Sequence, residues 1–75
     1  MNQFPRITIN PEQMGGVPCI RGFRIPVATV VGMVAAGMDK EEILQELPDL
    51  EQDDIKEALV FAAQTLKERT IPVAL

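Results

Sequence analysis

The 75-residue sequence predicts a small α+β chain, mostly helical, in which a short N-terminal β-hairpin precedes three helices. Three observations predict it. Arg6-Ile7-Thr8-Ile9 alternates polar and apolar residues with a period of two. From Val27 the apolar residues move to helical spacing, with Val27, Val30, Val31 and Val34 in register. Asp39 followed by Glu42 reads as a capping box, and Pro48-Asp49-Leu50 then separates a short helix from a long one.

The first strand, Arg6 to Ile9, stops at Asn10-Pro11. Val17 to Arg21 is the second strand, and Phe23-Arg24-Ile25 a third, turned over at Gly22. Pro18 and Pro26 make these short edge pieces, and an exposed short strand is a natural place for a second chain to pair. Helix one runs from Val27 to Ala36, with Gly37 as the C′ residue that ends it. Helix two covers Lys40 to Leu47. Helix three covers Gln52 to Glu68, with Ile55, Ala58, Leu59, Ala62 and Leu66 on one face and Asp53 and Asp54 suiting the dipole of its first turn. Val60 and Phe61 lie off that stripe, so helix three has a second apolar contact to satisfy, with a dimer partner or with the returning C-terminus. The tail from Thr70 to Leu75 is apolar and extended by composition. One domain is expected over residues 1–75, made of a hairpin arm (1–26), helices (27–69) and the tail (70–75).

A chain this short buries only about 60–65% of the surface its unfolded form exposes. Hydrophobic residues make up 47%, but Phe4, Phe23 and Phe61 are the only aromatics. Much apolar surface is therefore left for a second subunit, and a homodimer or hetero-complex is expected. The single Cys19 has no disulfide partner within the chain, and residues 1–11 lack a signal-peptide apolar block, which points to the cytoplasm. The apolar run from Ile25 to Met38 is too short for a membrane span and contains Gly32 and Gly37. Charge is divided unevenly. Residues 1–38 carry three arginines against one glutamate, +2, whereas residues 39–75 carry ten acids against four bases, −6. The first half suits phosphate and the second a basic protein surface.

Gly15 to Pro26 holds three glycines and two prolines and carries Arg21 and Arg24. These two, with Arg6 as a weaker third, are the candidate DNA-binding residues, because a planar guanidinium grips phosphate well. The competing reading pairs one of them with an acid of helix two or three, locking the hairpin onto the helices; Arg6 is expected to be an exposed strand residue. The start of helix three, Glu51 to Glu57, is too acidic to enter the major groove, so DNA contact falls to the hairpin. No histidine exists to pair with Cys19 or to complete a zinc site, and Asp53 and Asp54 diverge by about 100° on a helix. Gly15-Gly16 is not followed by a phosphate-loop pattern. The expectation is a protein that is not an enzyme and takes no metal, cofactor or small-molecule substrate.

Ile9-Asn10-Pro11, Gly15-Gly16-Val17-Pro18 with Ile20, and Gly22-Phe23-Arg24-Ile25-Pro26-Val27 resemble the small bacterial family catalogued as domain of unknown function four-three-three. Gly37-Met38 and Pro48-Asp49-Leu50 leading to Asp54-Ile55-Lys56 extend the likeness over nearly the whole chain. The resemblance implies a homeodomain-like helix-turn-helix fold and a VapB-type antitoxin role beside a PIN-like nuclease toxin. Phe61, Ile71, Val73 and Leu75 are the expected partner-binding residues for such a toxin, and operator DNA is the further expected partner. A DNA-binding regulator without a toxin is the alternative. Phe23 and Glu51 depart from the family pattern, each standing where a threonine is usual. A weaker helix-three cap, by on the order of 1 kcal/mol, is expected from the second.

Overall fold

A computed structural model describes residues 3–68. It is a mostly helical α+β fold with one two-stranded antiparallel sheet and three helices. β1 (Ile7–Thr8) pairs with β2 (Cys19–Ile20), Ile7 opposite Ile20 and Thr8 opposite Cys19. Both strands are shorter than expected. The loop between them holds an unanticipated 3₁₀ turn at Met14–Gly16, and the Gln13 side-chain amide crosses it to the Gly22 carbonyl at 3.0 Å. β2 runs directly into a tight turn in which Arg21 and Gly22 both have positive φ, 43° and 75°, and the Phe23 amide donates to the Ile20 carbonyl at 2.7 Å. Two successive positive φ values are the mark of a primed hairpin turn.

The expected third strand does not form. The segment after the turn meets β2 only through a bridge between Cys19 and Pro26, flanked by hydrogen bonds from the Ile20 amide to the Ile25 carbonyl and from the Val27 amide to the Pro18 carbonyl. Pro26 has no amide to extend the ladder, and the chain turns at once into a helix.

α1 (Val27–Ala35) ends one residue earlier than expected, in a Schellman motif. The Gly37 amide reaches the Val34 carbonyl at 3.0 Å and the Met38 amide the Met33 carbonyl at 3.1 Å, with Gly37 at φ +91°. α2 (Lys40–Glu46) starts in the expected capping box: Asp39 Oδ1 accepts the Glu42 amide at 2.9 Å and Glu42 Oε1 the Asp39 amide at 3.1 Å. α3 (Gln52–Glu68) has its expected bounds.

Ile7, Ile20, Val27, Val30, Ile43, Leu50, Ile55 and Ala58 form the core, so the two strands contribute to the same apolar cluster as the three helices. α1 and α3 make the most extensive contact between elements. Cys19 is buried, its Sγ on the Val17 carbonyl. The stripe expected on α3 holds for Ile55 and Ala58 but not for Leu66, which is 58% exposed. Leu66 borders an open groove between α1 and α3 and does not close it. Among the described residues no helix is long and apolar enough to cross a membrane.

Candidate functional site

The most elaborate polar arrangement lies where the arm meets the first turn of α3. Asp54 is fully buried, and both carboxylate oxygens are saturated. Oδ1 accepts from Arg6 Nη1 at 2.9 Å and from Arg21 Nε at 2.9 Å. Oδ2 accepts from Arg21 Nη2 at 2.8 Å and from the Glu51 amide at 2.7 Å. Four donors on two oxygens use the lone pairs a carboxylate offers, and the Arg21 contact is a bidentate fork. Arg21 Nη2 also donates to the Asp49 carbonyl at 2.8 Å, and its guanidinium sits 4.9 Å from the centre of the Phe23 ring. Phe23 thus serves as a stacking platform for Arg21.

The local sequence explains the assembly. The positive φ at Arg21 swings its side chain from the end of β2 toward α3. Asp54 is the third residue of α3, from which a carboxylate can reach back to the N-cap amide; here it accepts the Glu51 amide, the half of a capping box that the third position supplies. Arg6 binds Glu51 at 2.8 Å and approaches Asp53 at 3.8 Å, while its backbone amide donates to the Glu57 carboxylate. Expected as an exposed strand residue, Arg6 instead bridges three acids of α3 and its N-cap. Among the described residues no buried side-chain polar atom lacks a partner.

The protonation chemistry follows from these contacts. Burial pushes the Asp54 carboxyl up, but the Arg21 guanidinium, the Glu51 amide and the Arg6 guanidinium outweigh it and hold its pKa at about 2, below its ordinary 3.8. Hydrogen bonds to Glu51 and Asp54 raise the Arg6 guanidinium, and those to Asp54 raise that of Arg21. All three groups stay charged in neutral solution.

Of the three candidate DNA-binding arginines, Arg6 and Arg21 are therefore brought together on one carboxylate, and Arg24 is exposed with no ion pair among the described residues. The hub, Asp54, escaped sequence reasoning, which treated it as a dipole-favouring acid. A signal was present: Asp54 falls on the same helical face as Ala58, one turn before it, so its charge points at the core.

Of the partner-binding candidates, Phe61 packs edge to face on Phe4 with ring centres 5.2 Å apart. Its other side opens on a groove between α1 and α3. Ile71, Val73 and Leu75 lie outside the described residues. Among the described residues no group of three or more histidine, cysteine or carboxylate side chains is placed to hold a metal ion.

Residues 7–62 match the family described as protein of unknown function (DUF433). An uncharacterized protein of Sinorhizobium fredii, y4eO, is 39% identical over 56 residues, which are 75% of this chain and 25% of that protein. The crystal structure of a DUF433 member protein from Anabaena variabilis superposes with a TM-score of 0.77 at 35% identity, covering 88% of this chain and 64% of the other. The chain spans about a quarter of the length of the curated relative and under two thirds of the crystallised one.

Proposed function

We propose an antitoxin-like role for this chain, which belongs to the DUF433 family: it is a protein-binding module that neutralises a PIN-like nuclease. In this reading the three helices are a homeodomain-like helix-turn-helix used for protein contact. The observation that carries it is the state of the charges. Arg6 and Arg21 are spent on Asp54, and Arg6 also on Glu51, while Glu41, Glu42, Glu46 and Asp49 on α2 and its exit, with Asp53 at the start of α3, are exposed. A nuclease needs a basic surface to hold RNA, and an exposed acidic surface on α2 and α3 competes for it. The apolar residues 71–75 supply a hydrophobic anchor by their composition.

Co-expression of the full chain with the product of the adjoining gene tests this. The expected result is a stable complex on pull-down and restored growth of cells that the neighbouring protein otherwise arrests. No complex and no rescue overturns it. The alternative, a DNA-binding regulator without a toxin, is supported by the exposure of Arg24. It would appear as promoter binding by the chain alone, with a logarithmic salt slope that Arg24→Ala reduces by about 0.9 for each phosphate no longer neutralised.

A further inference from the structure

We draw no further inference here: the strongest candidate, the apolar groove between α1 and the C-terminal half of α3, has a lining without charge, and nothing in the structure shows what covers it.

Discussion

Asp54→Ala is expected to lower the unfolding free energy by about 2–4 kcal/mol, because it deletes the acceptor of four hydrogen bonds and leaves two guanidinium groups facing one another. Equilibrium urea unfolding at neutral pH measures it, and a loss below about 1 kcal/mol would show that water replaces the carboxylate without penalty. The same residue sets an acid transition. With a folded pKa of about 2 against 3.8, the unfolded chain binds more protons than the native one between those values, so stability rises with pH there. The contribution, on the order of 2 kcal/mol, is complete above pH 3.8 and is lost as pH falls through 2. Wild-type stability is expected to drop across that window, and the Asp54→Ala curve to be flatter. Parallel curves for the two proteins would assign the acid sensitivity to other carboxylates.

Ile20→Ala is expected to cost about 2–5 kcal/mol. Ile20 is fully buried and sits opposite Ile7 in the two-strand sheet, so it carries the arm into the cluster built by Val30, Ile43, Leu50 and Ile55. A strand pair of two residues each has no ladder to sustain it once that side chain is gone. For a domain this small, whose total stability falls toward the low end of about 5–15 kcal/mol, such a loss leaves a substantial unfolded fraction at growth temperature. Thermal and urea unfolding read it directly. Ile20 also precedes Arg21, so the truncation loosens the arginine fork on Asp54, and its effect is not expected to add to that of Asp54→Ala. Strict additivity of the two would separate the apolar and ionic halves of the junction.

The local features were legible in the sequence because each is written in neighbouring residues. Asp39 and Glu42 cap α2, Gly37 closes α1, and α3 spans its expected residues, all consequences of rules that operate over three to six positions. The arm was less legible. Its strands are short because Pro18, Pro26 and the turn at Arg21 limit the ladder, and the third strand fails for want of an amide at Pro26. Arg6 and Arg21 meet Asp54 across separations of 48 and 33 residues, which no periodicity encodes. The reading in which an arginine locks the hairpin onto the helices anticipated the kind of contact, but not that two arginines share one carboxylate. Leu66, on the stripe yet 58% exposed, shows the limit of a helical wheel: a stripe specifies a face, not how much of it a neighbouring element covers.

Arg21 is, on this geometry, a structural clamp on Asp54 and not a free phosphate ligand. A double-mutant cycle of Arg21→Met and Asp54→Ala, followed by urea unfolding at neutral pH, tests that role most directly. The expected result is that Arg21→Met destabilises the wild type but that most of this loss disappears when Asp54 is already alanine. An equal loss in both backgrounds would contradict it, since the guanidinium would then owe nothing to the carboxylate and would be available to an external anion.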